Sequence, residues 1–210
     1  MVQRGSLMIT FKKIVEGLNI DAPYEYYVVD DSKNKGHLLW LDVLAEEDRV
    51  YFESLSQDEK MKYKTESAKI FIPRMAIYKY KNLDEEGGGY SFAYTLNRIK
   101  SFYTNEIDDE CLAVAVYIIL HELGHWNDLK TKEFYVWEYA YKDSEESRKA
   151  FDEQRAFEVV GGRYDEKTRK ELALALLEKS NSTPIEDRAN KFADEHFAEY
   201  YSLVKEADLK

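Results

Sequence analysis

The sequence predicts an α+β domain in which a mainly strand-forming first half, residues 1–105, precedes a mainly helical second half, residues 106–210, that carries the chemistry. Three observations predict it. Short aromatic and β-branched runs recur before residue 105, and the apolar spacing becomes helical from about Asp108 onward. The chain has 210 residues, 44% hydrophobic and 34% charged, which is enough for one domain with a real core. With 9 Gly, 3 Pro and no recurring period, it reads as neither a collagen-like nor a repeat protein.

In chain order, YEYYVV (24–29) and HLLWLDV (37–43) flank DDSKNKG, whose Asn34 and Gly36 suit a turn, so these runs predict a hairpin. IFIPRMAIYKY (70–80) and YSFAYTLNRIKSFY (90–103) predict a second strand pair, with Pro73 marking an edge or a break. Their connection, NLDEEGGG, lacks the Lys-Ser/Thr and the helix start that a phosphate-binding loop needs. It reads as a flexible link with Asp84, Glu85 and Glu86 in a solvated turn.

Helices are predicted over 108–129, 144–160, 165–179 and 184–204. The last has a good start, with Thr183 as N-cap, Pro184 in the first turn and Glu186 at the third position of a capping box.

The charge balance narrows the partners. Against 30 basic residues stand 41 acidic ones, a formal charge of −11, so a non-specific hold on nucleic acid or anionic lipid would work against the protein's own field. The longest apolar run, Cys111 to Leu120, is too short to span a bilayer. The opening MVQRGSLMITFKK lacks the sustained apolar stretch of a secretory signal, and Cys111, the single cysteine, cannot form an internal disulfide. A cytoplasmic location is expected.

Residues 121–125 read His-Glu-Leu-Gly-His. Histidines four apart share one helix face, so both imidazoles can bind one zinc ion at about 2.0–2.1 Å. Glu122, one residue further round, stands beside the metal rather than on it, where its carboxylate can take a proton from a metal-activated water. The preceding helix is apolar nearly all round, and burying two imidazoles and a carboxylate there without partners would be costly.

The third ligand is drawn from two glutamates. Glu153, 28 residues after His125, lies on the stripe Ala150, Glu153, Phe157, Val160, where a carboxylate needs a metal, a cation or exposure. The plain alternative is an exposed partner of Lys149. Glu186, 61 residues after His125, leads the line Ala189, Ala193, although the capping box already accounts for a glutamate there. Glu145 and Glu146 sit at a helix start, where acids complement the dipole.

Other candidates have weaker grounds. His196 on the Ala189, Phe192, Ala193, Phe197, Tyr200 face reads as a core histidine or as a hydrogen-bond donor to a tetrahedral intermediate. Asp128, three residues past His125, reads as a solvated helix end or as an acceptor orienting an imidazole. The aromatic segment EFYVWEYAY (133–141) covers the core or lines a cleft, with Tyr135, Tyr139 or Tyr141 as an oxyanion donor.

On these residues the sequence resembles the zincin metallopeptidases, and within them the ImmA/IrrE type associated with phages and mobile elements. The resemblance rests on His121 to His125 after an apolar helix and on two later segments, EQRAFE (153–158) and EDRANKFA (186–193), and covers roughly the last half of the chain. It implies a third zinc ligand from a downstream glutamate followed by Ala and Asn-x-Phe-Ala, usually some 25 to 30 residues after the first motif. Here Glu153 has the spacing and Ala156, whereas Glu186 has the fuller match in Ala189, Asn190, Phe192 and Ala193. Spacing along the chain favours Glu153. The resemblance further implies a small sheet with an edge strand over the active-site helix, and cytoplasmic cleavage of a protein partner, often a repressor of the mobile element.

The leading expectation is therefore a metallopeptidase with one Zn²⁺ per chain held by His121, His125 and Glu153, and with Glu122 as general base. The alternative is a catalytically silent binding module of zincin fold that acts by occupying a protein partner. A purely structural zinc is disfavoured, because such sites usually have four protein ligands and cysteine is nearly absent.

Overall fold

The computed structural model describes residues 9–29, 40–42, 54–56, 58–59, 68–86, 91–131, 149, 153, 156–157 and 163–207. The described elements are α1 (Phe11–Leu18), β1 (Tyr24–Tyr27), β2 (Trp40–Asp42), β3 (Lys69–Pro73), α2 (Ile77–Glu86), α3 (Ser91–Phe102), α4 (Glu110–Thr131), α5 (Glu166–Asn181) and α6 (Pro184–Glu206). The fold is α+β, with helices dominating and a small mixed sheet.

The sheet order is β1-β3-β2. β1 runs parallel to β3, with Tyr24 opposite Ile70 and Tyr27 opposite Pro73, and β2 runs antiparallel to β3, with Trp40 opposite Phe71. The expected β1–β2 hairpin is thus not formed, because β3 inserts between the two strands. The reason is burial. Ala68, Ile70 and Ile72 are fully buried, whereas β1 is only partly covered, so the most apolar strand takes the centre. Pro73 ends β3, and Arg74 N–H continues the pairing by donating to the Tyr27 carbonyl at 2.8 Å.

The second expected strand pair is not formed either. Only its start, β3, is a strand, and the chain then enters α2 and α3. In α3 the buried residues Phe92, Leu96 and Ile99 recur at helical spacing, which outweighs the β preference of the aromatic residues around them. Asp84, Glu85 and Glu86, expected in a solvated turn, instead end α2. The glycines at 87–89 lie outside the described residues.

A further helix, α1, occupies a stretch for which the sequence reading offered nothing. Thr10 accepts from Lys13 N–H at 3.3 Å to start it, and Asn19 ends it in the left-handed region at φ 51°. Phe11, Ile14, Val15 and Leu18 are buried, one face of a short amphipathic helix that packs on β3, α4 and α6. Among its described residues the first half is therefore mixed rather than mainly strand.

The second half follows the expectation closely. α4 is the central element, packed by α6, α3, α2, α1, β2 and β3. Asp109 caps its start, its Oδ1 accepting from Leu112 N–H at 3.0 Å, and Glu110 and Lys130 suit the two ends of its dipole. α5 and α6 lie where helices were expected. Of the helix expected over 144–160, the described residues 149, 153, 156 and 157 are helical.

α6 turns Ile185, Ala189, Ala193, Phe197, Tyr201 and Val204 inward. Phe197 anchors it between Phe102, Tyr103 and Tyr117, at ring-centroid distances of 5.8, 5.1 and 6.2 Å, and burying such a side chain contributes about 1.5–3 kcal/mol.

Candidate metal centre

Contact between α4 and α6 builds the site, and their small residues permit it. Gly124, inside the His-Glu-Leu-Gly-His stretch, faces Ala189, and a Cβ at position 124 would stand 2.8 Å from the Ala189 carbonyl oxygen. The two backbones therefore come closer than any side chain at 124 would allow. Pairs of residues four apart then face each other across the contact, with Tyr117, His121 and His125 on α4 running against Asp194, Asn190 and Glu186 on α6.

Three ligand-type side chains converge there: His121, His125 and Glu186 each offer a donor atom, all within 4.8 Å of one another. The nearest separations are 3.1 Å between the two Nε2 atoms, 3.1 Å from His121 Nε2 to Glu186 Oε2, and 3.6 Å from His125 Nε2 to Glu186 Oε1. Donors about 2.0–2.1 Å from a tetrahedral zinc stand about 3.3 Å apart, so the donor set fits such an ion in type and in spacing. Two imidazole nitrogens pointing at each other also demand a proton or a cation between their lone pairs.

The electrostatics agree. Burial would raise the Glu186 pKa, yet the charges and hydrogen bonds of His125 and His121 hold the carboxyl well below the usual carboxylate range. Burial likewise pulls the His121 imidazole down, but the hydrogen bond and charge of Glu186, the charge of Glu122 and the Asn190 hydrogen bond outweigh it and leave the group raised to about 8. Carboxylate and imidazoles thus form a concentrated, mutually dependent polar cluster. Glu122 is half-buried, immediately beside His121 on α4.

The third ligand position is corrected. Glu153 does not join the histidines. It is exposed, with its Oε2 accepting from Lys179 Nζ at 2.5 Å, so a cation on α5 meets the carboxylate there. Glu186 instead joins the two histidines in the candidate donor group, and the capping box expected at that helix start does not form. Thr183 has no side-chain cap bond into α6, its hydroxyl instead donating to the Ser180 carbonyl at 2.8 Å.

Asp128 does not sit in solvent. It is buried and accepts from Arg188 Nε at 2.7 Å, tying α4 to α6 just past His125. His196, ten residues beyond Glu186 on a helix rising about 1.5 Å per residue, stands far along α6 from the candidate donor group. It packs between Phe192 and Tyr200, at ring distances of 4.4 and 6.1 Å. Tyr135, Tyr139, Tyr141, Glu145 and Glu146 lie outside the described residues.

Asn190, a residue the sequence reading gave no role, is 2% exposed, and its Oδ1 lies 3.0 Å from His121 Nδ1. A signal was present. An amide on the inward face of α6, one turn beyond Glu186 and between Ala189 and Ala193, has to find polar partners there.

No protein-family model matches the chain, and neither a curated protein nor a solved structure matches it.

Proposed function

We propose that this protein is a zinc-dependent metallopeptidase of zincin type, akin to the ImmA/IrrE peptidases, acting on a protein substrate such as a mobile-element regulator. The observation that carries the reading is the convergence of His121, His125 and Glu186 with Glu122 one residue along the same helix. A zinc ion, when bound, supplies Lewis-acid polarisation of a peptide carbonyl and lowers the pKa of a water.

The chain's residues supply the rest. His121 and His125 donate from one face of α4 and Glu186 donates from α6, so the site is held by two helices locked through the Gly124–Ala189 contact. Glu122 acts as general base, its carboxylate taking a proton from the attacking water and returning it to the leaving amine nitrogen. β2 packs on α4 and pairs only with β3 among the described residues, so an extended peptide can add to its outer edge and run along the active-site helix.

Elemental analysis and peptide-library hydrolysis with tag-free wild type and Glu122→Gln test this reading. About one zinc per chain in both proteins, with turnover about 10²–10⁴-fold lower in the variant, is the expected result. Full turnover by the zinc-loaded Glu122→Gln protein would overturn it. Equal effects of both proteins on a partner in cells, without cleavage, would point instead to a binding module.

A further inference from the structure

The polar cluster continues beyond the metal ligands on the side of His121 away from Glu186. Asn190 Oδ1 lies 3.0 Å from His121 Nδ1 and 3.3 Å from the Tyr117 hydroxyl, while Asn190 Nδ2 lies 3.3 Å from both the backbone carbonyl and the Oδ1 of Asn181 at the end of α5. The Tyr117 hydroxyl is in turn held by Arg98 Nε at 2.6 Å and Asp194 Oδ1 at 2.9 Å, and Arg98 closes the group with a second nitrogen 2.7 Å from Asp194 Oδ2.

The chemistry of these partners settles which way the amide points. A backbone carbonyl can only accept, so the Asn190 group that faces Asn181 has to be the NH₂. Its carbonyl oxygen then faces His121, where it can only accept, and His121 Nδ1 has to carry the hydrogen. The lone pair of the neutral ring is thereby placed on Nε2, the nitrogen that faces His125 and Glu186. An unrestrained imidazole exchanges between its two tautomers, and half of that choice would put a hydrogen where the metal must bind.

We propose that Asn190 is a positioning residue that fixes His121 as its Nδ1–H tautomer, with Asn181 setting the amide orientation and the Arg98–Asp194–Tyr117 group walling it in. Asn190 touches neither metal nor substrate. It acts through the ring it holds, as partners of ligating histidines do generally, at about 10–100-fold in metal affinity. The consequence for binding rests on the metal-site reading above, whereas the tautomer does not.

The test is nitrogen-15 NMR of the histidine rings in the metal-free protein at alkaline pH, where the ring is neutral, combined with zinc affinity by chelator competition for wild type, Asn190→Ala and Asn190→Asp. Wild type is expected to show His121 protonated at Nδ1 alone. Asn190→Ala should show a mixture and bind zinc about 10–100-fold more weakly. Asn190→Asp, which keeps an acceptor, should restore the single tautomer and most of the affinity. A wild-type ring protonated at Nε2, or an unmixed Nδ1–H ring and unchanged affinity in Asn190→Ala, would overturn the proposal. The wild-type spectrum decides even if the alanine variant fails to fold. An Nδ1–H ring in a protein that takes up no zinc would overturn the metal-site reading and leave the tautomer assignment standing.

Discussion

Two stretches of this chain share a pattern and have opposite fates. Glu153-Gln-Arg-Ala and Glu186-Asp-Arg-Ala both open with a glutamate three residues ahead of an alanine on a helix. Glu153 stands at the surface against Lys179, while Glu186 is drawn between two histidines. The local pattern does not separate them, and chain distance misleads. The separation of 61 positions from His125 to Glu186 adds little, because each doubling of a loop costs only about 0.6 kcal/mol in closure entropy. What separates them is the remainder of α6, whose Ala189, Ala193, Phe197 and Tyr201 are buried in the packing of α6 on α4 and carry Glu186 with them.

The sharpest break of that comparison is to remove each carboxylate. Glu186→Ala should lower zinc affinity by about 100-fold or more, since loss of a ligand exceeds the loss of a ligand's supporting partner, while Glu153→Ala should leave it unchanged. Chelator competition on both variants reads the difference, and the reverse pattern would return the ligand to Glu153.

The helix contact comes next. Gly124→Ala places a Cβ against the Ala189 backbone, which cannot retreat without moving Glu186. It should destabilise the fold by about 1–3 kcal/mol and weaken zinc binding in parallel, measured by denaturant titration and chelator competition. Asp128→Ala removes the ion pair with the partly exposed Arg188 at the same junction and should cost about 1–2 kcal/mol, less than loss of a fully buried pair would.

A pH series sharpens the electrostatic side of the contrast. In the metal-free protein the raised His121 pKa contributes stability that is complete below the ordinary histidine value and is lost as pH rises through about 8. Melting temperature in chelator should therefore fall across that window. Bound zinc, which replaces the proton, should reverse the trend by binding more tightly as pH rises towards 8. The smallest effect is expected at the surface pair, where Lys179→Ala should change stability by no more than about 0.5 kcal/mol, by the same melting assay.

Legibility in the sequence follows burial geometry. α4, α5 and α6 were readable because each has a long period with a chemical start or stop, such as Pro184 at the head of α6. The first half was harder. Its segments are short, and aromatic residues such as Phe92 and Tyr94 fit either a strand or a helix until their neighbours decide; only the spacing of Phe92, Leu96 and Ile99 spoke for α3. In the site, His121, Glu122 and His125 were legible because one helix turn sets their relation, and that relation needs no other part of the chain.

The sequence by itself thus determined an α+β chain with a buried apolar helix presenting two imidazoles on one face. The tertiary structure alone decided that β3 lies between β1 and β2, that Glu186 rather than Glu153 joins the two histidines in the candidate donor group, and that Asn190 faces the far nitrogen of His121. The physical reason is that helical spacing is local and repeats every few residues, whereas a strand's neighbours and a ligand from another helix depend on which surfaces bury each other, here on a glycine and an alanine small enough to let α4 and α6 meet.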